Sequence, residues 1–218
     1  MLEHVWERAS LSKYLTGLVI ATDDERIQSA AADFKAQVVM TRSDHSSGTD
    51  RVAEVAAGSS AKFVVNIQGD EPLIDPAAID AAILGILDQE GADMATLKKR
   101  MDRPADIQDP NIVKVVTDKL GDAIYFSRAP IPFIRNAGES ATYYKHIGLY
   151  VYRRDFLLAY PDLPVGPLEK AERLEQLRAL ENGFKIRVVE TDYDSIGVDT
   201  PEDWKQIAEL FEQNMVNR

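Results

Sequence analysis

Hydrophobic positions along the chain alternate between short continuous runs and sets with helical spacing. The first spaced set runs through Leu2, Val5 and Ala9 and predicts an amphipathic helix at the start of the chain. The continuous runs predict strands at 18–21, 38–40, 63–68 and 186–189, with helices between them. Strands that alternate with helices are typical of βαβ units and a largely parallel sheet. The pattern therefore predicts an α/β protein.

The middle of the chain has a different pattern. Two apolar segments flank Lys119-Leu120-Gly121-Asp122, which predicts a β-hairpin, and a further strand follows at 146–152. Residues 167–182 predict one long helix that ends at Gly183, with a surface ion pair between Glu169 and Arg173. We expect a single domain, 1–218, that carries this hairpin in an insertion at about 110–165.

The charge and the cysteine content of the chain limit which classes of function are expected. The chain has 36 acidic and 25 basic residues, a formal charge of -11, so non-specific nucleic-acid binding, which needs a basic surface, is not expected. An anionic small substrate is compatible with this charge if a metal and a few arginines gather locally. Cysteine is absent, which excludes a thiol nucleophile or a disulfide framework. No run is long enough to span a bilayer, and we expect a cytoplasmic protein.

Two acidic motifs follow predicted strands. Asp70 lies in Gln68-Gly69-Asp70-Glu71-Pro72, and Asp199 comes just before the helix-start signal Thr200-Pro201. Ligands of open α/β sheets bind beyond the carboxyl ends of the strands. Two carboxylates that converge there suit Mg²⁺, which takes its other ligands from water and substrate phosphates. The simpler alternative is a strand-ending turn and a helix cap.

Three further features suggest binding. The polar loop 41–51 can present backbone N–H groups and hydroxyls to a base, a ribose or a phosphate, although a solvated loop with Thr49 as a helix N-cap is also compatible. Arg128 can bind a carboxylate in a bidentate manner. His146 and Tyr150 share one face of a strand. The alternative for these last three is a surface arginine and a half-buried face.

Taken in order, these motifs resemble the CMP-Kdo synthetases, the 3-deoxy-manno-octulosonate cytidylyltransferase family. The resemblance covers nearly the whole chain. The segments that carry it are 41–49, 66–72, 111–116, 125–128, 146–150, 174–178 and 197–203.

The resemblance implies a Rossmann-like nucleotide-diphospho-sugar transferase fold with a mostly parallel mixed sheet, usually as a homodimer. It implies a reaction of CTP with Kdo that gives CMP-Kdo and pyrophosphate for lipopolysaccharide biosynthesis. Asp70 and Asp199 would be the catalytic carboxylates that hold Mg²⁺. The implied sugar-acid residues are Gln68, Arg128, His146, Tyr150, Glu175 and Gln176. The implied nucleotide residues are Arg42, Ser47, Gly48 and Thr49.

One segment of the family pattern has no counterpart. Family members begin with a strand and a triphosphate loop of the form P-A-R-x-x-S-x-R-L-P-G-K-P, whereas Met1–Ala9 resembles the helix that follows it. We expect the coding sequence to continue upstream of Met1. If the chain does start at Met1, we expect weak or no CTP turnover. The alternatives are a CMP-sialate synthetase or another sugar nucleotidyltransferase, and a non-catalytic paralogue.

The segments 146–150 and 174–178 favour Kdo, because they match on the sugar side. The acidic pair counts against a protein that only binds sugar, because such a protein has little need of a metal.

Overall fold

The computed structural model of the chain describes residues 1–88, 91–136, 138–194 and 197–198, together with Asp203, Lys205, Ile207 and Glu209. Asp199 and most of the predicted closing helix, 201–214, therefore lie outside the described residues. The four single positions are helical, and Ile207 is buried.

Helices and strands alternate through most of the described chain, as the sequence pattern predicts. The helices are α1 (Leu2–Ala9), α2 (Glu25–Asp33), α3 (Gly48–Ala57), α4 (Pro76–Leu87), α5 (Pro104–Gln108), α6 (Arg154–Ala159), α7 (Pro167–Glu172) and α8 (Leu177–Glu181), with a 3₁₀ turn at Tyr160–Asp162. The strands are β1 (Ile20–Thr22), β2 (Val38–Met40), β3 (Phe63–Asn66), β4 (Met94–Met101), β5 (Lys114–Thr117), β6 (Ala123–Ser127), β7 (Tyr143–Arg153) and β8 (Ile186–Glu190).

The long strand β7 organises the main sheet. One of its edges pairs with β4, and β8 continues the sheet beyond β4. The other edge is shared: β5 pairs near the start of β7, and β3 pairs near its end. The predicted hairpin forms from β5 and β6, while β1 and β2 form a separate parallel pair. The sharing of one edge leaves the middle of β7, around 146–149, between the ends of two other strands.

The predicted mixed sheet is confirmed, but its pairing needs a correction. Among the described strands of the main sheet, only β4 and β8 pair in parallel. The pairs of β7 with β3, β4 and β5, and of β5 with β6, are antiparallel. The reason is that β7 runs against its neighbours and separates strands that share one direction.

Strand β4 was not predicted, although it lies next to β7 in the sheet. Its first half is buried but only four residues long, and its second half carries Lys98-Lys99-Arg100. Such a run has neither clear alternation nor a long apolar stretch. Its place in the sheet is set by tertiary pairing on both edges, which local sequence does not record.

Helices cover both faces of the main sheet. On one face, α4 and α1 pack on β4 and β7 through Val5, Ile79 and Ile83. On the other face, aromatic and aliphatic side chains of α6, α8 and the strands form a second cluster. The start of α4 is as predicted, because Asp75 accepts a hydrogen bond from the Ala77 N–H. None of the described helices is long and apolar enough to cross a membrane.

The predicted single helix at 167–182 is wrong, because it is broken in two. α7 ends at Glu172, Arg173 takes a left-handed conformation with φ 55°, and α8 begins at Leu177. Leu174 and Leu177 are buried at the break. Burial of these two side chains outweighs the local preference for a continuous helix. The predicted C-terminal glycine is confirmed at Gly183, with φ 83°.

The predicted ion pair between Glu169 and Arg173 is also wrong. Glu169 instead accepts two hydrogen bonds from Arg178, at 2.9 and 2.7 Å, and both side chains are only 12% exposed. Glu181 accepts the backbone N–H groups of Leu168 and Glu169 and so caps α7. These contacts fix α7 against α8 on either side of the break.

Candidate active site

The turn after β3 presents Asp70 at the edge of the sheet. Gln68 is exposed in this turn and Asp70 is half-buried. The Val198 N–H donates to the Asp70 carbonyl oxygen at 3.0 Å, and a Cβ on Gly197 would lie 3.9 Å from Oδ2 of Asp70. The segment that leads into Asp199 is therefore held against Asp70, although Asp199 itself lies outside the described residues.

The donors at this turn suit a hard cation. Within the described part of the chain, no group of three histidine or acidic side chains could hold a metal. Mg²⁺ needs no such cage, because it keeps several waters and binds one or two carboxylates together with substrate phosphates. Asp70 can supply one such carboxylate, and the segment held against it, 197–198, leads directly into Asp199 in the sequence.

His146 is fixed by a threonine of β4. Oγ1 of Thr96 lies 3.0 Å from Nε2 of His146 and 2.9 Å from the carbonyl oxygens of both Ile147 and Leu149. Because the hydroxyl proton faces two carbonyl acceptors, we assign the proton of His146 to Nε2, which then donates to Thr96. Thr96 lies where the register between β4 and β7 shifts, because three residues of β7, 148–150, lie opposite this single residue of β4.

Two aromatic rings pack beside His146. Tyr150 lies 5.6 Å away between ring centroids, and Phe126 packs edge-on at 5.0 Å. Burial, with the charge of Lys145, lowers the pKa of His146 to about 3. Burial, with Tyr152 and the charge of Glu175, raises the pKa of Tyr150. His146 and Tyr150 therefore act as neutral hydrogen-bonding groups near pH 7.

Glu175 and Gln176 occupy the break between α7 and α8. Thr49 donates its hydroxyl to Oε2 of Glu175 at 2.9 Å, and the Tyr160 hydroxyl donates to the Glu175 carbonyl oxygen at 2.7 Å. The other carboxylate oxygen, Oε1, is buried and has no hydrogen-bond partner among the described residues. Gln176, the next residue in the chain, is buried. The break thus turns an acid and an amide inward, where a continuous helix was predicted.

Arg128 is held at the end of β6. Its Nε donates to the Glu172 carbonyl oxygen at 2.8 Å and Nη1 donates to the Pro110 carbonyl oxygen at 3.0 Å. The Glu172 carboxylate accepts the Arg128 N–H and the Ser127 hydroxyl, and although burial raises the pKa of Glu172, these bonds bring it below its usual value. The buried Lys114 also donates to the Arg128 carbonyl oxygen, at 2.5 Å. The guanidinium is thereby fixed in place on two sides.

The loop before α3 is organised differently. Ser47, and not Thr49, is the N-cap of α3, since its side chain accepts the Asp50 N–H. Gly48 is the first residue of the helix. Arg42 is exposed, with Nε 3.4 Å from Asp44 and 3.8 Å from Glu54. No described contact joins Arg42 to the group around Glu175.

A cavity of about 410 Å³ lies between this loop with α3 and the segment of Leu158 and Pro161. Its lining is Arg42, Asp44, His45, Ser46, Asp50, Ala53, Glu54, Ala57, Leu158 and Pro161.

Similarity to known proteins decides the family. The sequence model described as Cytidylyltransferase matches residues 1–186. The 3-deoxy-manno-octulosonate cytidylyltransferase of Solibacter usitatus (strain Ellin6076) is 64% identical over 216 residues, which cover 99% of this chain and 86% of the relative. This chain belongs to the 3-deoxy-manno-octulosonate cytidylyltransferase family. The enzyme of the same name from Pelobacter propionicus (strain DSM 2379 / NBRC 103807 / OttBd1) is 52% identical and covers 97% of this chain and 87% of the relative.

A solved structure agrees with this family. The structure of CMP:2-keto-3-deoxy-manno-octonic acid synthetase complexed with CTP superposes with a TM-score of 0.93 at 42% identity. The match covers 98% of this chain and 88% of that one. The prediction of a nucleotidyltransferase enzyme with an α/β nucleotide-sugar transferase fold is confirmed.

The geometry brings some of the predicted cytidylyltransferase residues together. His146 contacts Tyr150, Thr49 binds Glu175, and Asp70 lies against the segment that precedes Asp199. The catalytic, sugar and nucleotide roles of the individual residues stay predictions.

Several supporting residues of this family member were not predicted. They are buried or half-buried polar side chains that hold site residues through tertiary contacts, and only Lys114 lies in one of the segments that carry the family resemblance. They are Thr96, Lys114, Tyr152 and Glu172.

Proposed function

We propose that this chain joins CTP and Kdo to give CMP-Kdo and pyrophosphate. One observation carries the proposal: β3 connects the two halves of the site. Its last residue, Asn66, pairs with Tyr150, which lies beside His146 in the proposed sugar-acid pocket, and the turn that follows carries Asp70. A sugar acid in the pocket would therefore lie next to a phosphate at the turn. The names of the similar enzymes support Kdo and CTP as the two substrates.

The pocket offers groups suited to a sugar acid. Arg128, fixed by two backbone carbonyls, is placed to pair with a carboxylate. The neutral His146 and Tyr150 and the free oxygen of Glu175 suit hydroxyl groups. We assign Gln68 and Gln176 to the same substrate as amide partners. The nucleotide is assigned to the loop with Arg42, Ser47 and Gly48.

Asp70 and Asp199 are the proposed holders of a magnesium ion. When bound, the ion would neutralise phosphate charge and lower the pKa of the attacking hydroxyl. The half-buried position of Asp70 and the N–H bond from Val198 to its carbonyl oxygen support this assignment. The chain's own task at this point is to hold the two carboxylates at one edge of the sheet.

The proposed reaction is a single in-line displacement. The anomeric hydroxyl oxygen of Kdo forms a bond to the α-phosphorus of CTP, and the bond from that phosphorus to the bridging oxygen breaks. Pyrophosphate leaves with the electron pair, and the hydroxyl proton passes to solvent. Arg128, His146 and Glu175 orient the sugar, so most of the rate would come from positioning and charge.

We also propose a homodimer that forms through the insertion at about 110–165 and acts in the cytoplasm, with CMP-Kdo serving lipopolysaccharide synthesis. Apolar side chains of this segment support a contact surface: Leu120, Ile124 and Phe133 are 66%, 61% and 86% exposed. Light scattering of the chain and of Phe133→Ser tests the dimer. A monomeric mass for the unmodified chain at micromolar concentration would contradict it.

Pyrophosphate release tests the activity. The chain as written, and the chain preceded by a strand and a loop of the P-A-R-x-x-S-x-R-L-P-G-K-P form, are each incubated with CTP, Mg²⁺ and either Kdo or sialic acid. We expect release with Kdo, stronger in the longer chain. Release only with sialic acid would change the substrate, and no release by either chain would contradict an enzyme.

A further inference from the structure

The Thr49 hydroxyl links two distant parts of the chain. Thr49 lies in the first turn of α3 and is buried, and its hydroxyl donates to Oε2 of Glu175 across 126 residues of sequence. The helix N-cap is already supplied by Ser47. The side chain of Thr49 therefore serves the break between α7 and α8, and not its own helix.

The two oxygens of Glu175 have different surroundings. Oε2 accepts from Thr49 at 2.9 Å, whereas Oε1 is buried without a hydrogen-bond partner in the described part of the chain. A threonine hydroxyl has one proton to donate, and a bond to a carboxylate is stronger than one between neutral groups. Fixing Oε2 therefore sets the rotation of the carboxylate and with it the direction of Oε1.

Further contacts hold Thr49 itself. The buried Tyr152 of β7 lies within hydrogen-bonding reach of both Thr49 and Asn66. Burial and the charge of Glu175 raise the pKa of Tyr152, and these two hydrogen bonds partly oppose that rise. Asn66 is also buried and ends β3. A run of buried polar groups therefore extends from the end of β3, through Tyr152 and Thr49, to Glu175.

We propose that Thr49 is a positioning residue for the sugar acid, which acts by holding Oε2 of Glu175 so that Oε1 faces a substrate hydroxyl. This inference rests on the proposed function, because it takes Kdo as the occupant of the pocket. The inference gives Thr49 a role in binding the sugar acid, whereas the family resemblance implies that Thr49 contacts the nucleotide.

A comparison of two conservative variants tests the inference. Thr49→Val keeps the shape and removes the donor, and Thr49→Ser keeps the donor. Calorimetric titration should show Kdo binding about 10-fold weaker for the valine variant and within about threefold of the unmodified chain for the serine variant. The Kd for CTP should change less than twofold in both. A weaker CTP affinity with unchanged Kdo affinity would place Thr49 on the nucleotide side and overturn the inference.

A double-mutant cycle shows whether Thr49 acts through Glu175. Glu175→Gln and the combined Thr49→Val/Glu175→Gln variant should bind Kdo with nearly equal affinity. Once the Glu175 carboxylate is absent, loss of the Thr49 hydroxyl can no longer change its orientation. Additive losses would mean that Thr49 acts independently of Glu175, which would overturn the inference. If the unmodified chain binds no Kdo, the proposed function is contradicted, and the inference that rests on it is contradicted as well. If it binds Kdo and Thr49→Val matches it, only the inference fails.

Discussion

The proposed sugar-acid pocket and the exposed Arg42 of the loop at 41–51 are held by opposite means. Around Glu175, buried groups from α3, β7 and the break before α8 are hydrogen-bonded to one another over long stretches of sequence. In the loop, Arg42 is exposed and faces two acids of its own neighbourhood, Asp44 and Glu54. The pocket depends on the fold being complete, whereas the Arg42 side chain depends on nearby contacts that are open to solvent.

This difference has an energetic consequence. Hydrogen bonds to buried charged groups contribute about 1.5–3 kcal/mol each, and removal of one partner leaves the other desolvated. Exposed ion pairs contribute about 0–1 kcal/mol. We therefore expect pocket substitutions to change stability and sugar affinity together, and substitution of Arg42 to leave stability almost unchanged.

Asp70→Asn should have the largest effect, a fall in kcat of about 10²–10³-fold, because it removes a carboxylate from the proposed metal and phosphate site. Kdo affinity, which depends on the pocket, should change little. Steady-state pyrophosphate release and calorimetry check both values. Asp88→Asn, at the exposed end of α4, is the control. A kcat for Asp70→Asn within twofold of that of the unmodified chain would show that the Asp70 carboxylate is not needed for catalysis.

Arg178→Met should lower the free energy of unfolding by about 3 kcal/mol, because it leaves the largely buried Glu169 without its partner. Arg42→Ala, which breaks only exposed pairs, should lower it by less than about 0.5 kcal/mol. Urea unfolding of both variants measures the contrast. Equal losses would show that the pocket and the loop do not differ as described.

Thr96→Val should cost about 2 kcal/mol, since two strand carbonyls and Nε2 of His146 lose their shared partner. Thr96→Ser keeps the hydroxyl and should recover most of that loss. Urea unfolding gives the stability, and Kdo titration should show weaker binding for the valine variant alone. Full Kdo affinity in Thr96→Val would mean that His146 needs no support from β4.

The buried neutral His146 predicts a smaller, pH-dependent effect. Its pKa is about 3 in the folded chain against about 6.5 when unfolded, so the unfolded state binds the proton first as pH falls. Stability is retained above pH 6.5 and decreases towards pH 3. Between pH 6.5 and 5 the unmodified chain should lose about 1.5 kcal/mol more than His146→Gln. Urea unfolding at both pH values measures this, and parallel losses would refute it.

The sequence predicts the fold best where local signals are strong. Asp75-Pro76 at the start of α4, the hairpin around Gly121 and the left-handed Gly183 all form as expected, because each depends on a few adjacent residues. Strand β4 and the break at Arg173 do not follow from local signals. Pairing along both edges of β4 and burial of side chains beside the break decide them, and neither is visible in a short window of sequence.

The residues of the candidate site also fall into those that local sequence signals predict and those that they do not. Asp70, His146 and Tyr150 were found from strand ends and alternation, and the motif order supplied Glu175. The supporting contacts from Thr96, Tyr152 and Glu172 join elements far apart in the chain. No spacing rule gives such contacts before the fold is known.

The side-chain contacts between α7 and α8 also determine how these two helices open and close. Helices of six and five residues are too short to persist alone, and each is held by side chains of the other, through Glu181 and through the pair of Glu169 with Arg178. One cannot open while its partner stays closed. The amide hydrogens of 168–181 should therefore exchange with deuterium as one cooperative unit, so the break that carries Glu175 should open and close as a whole.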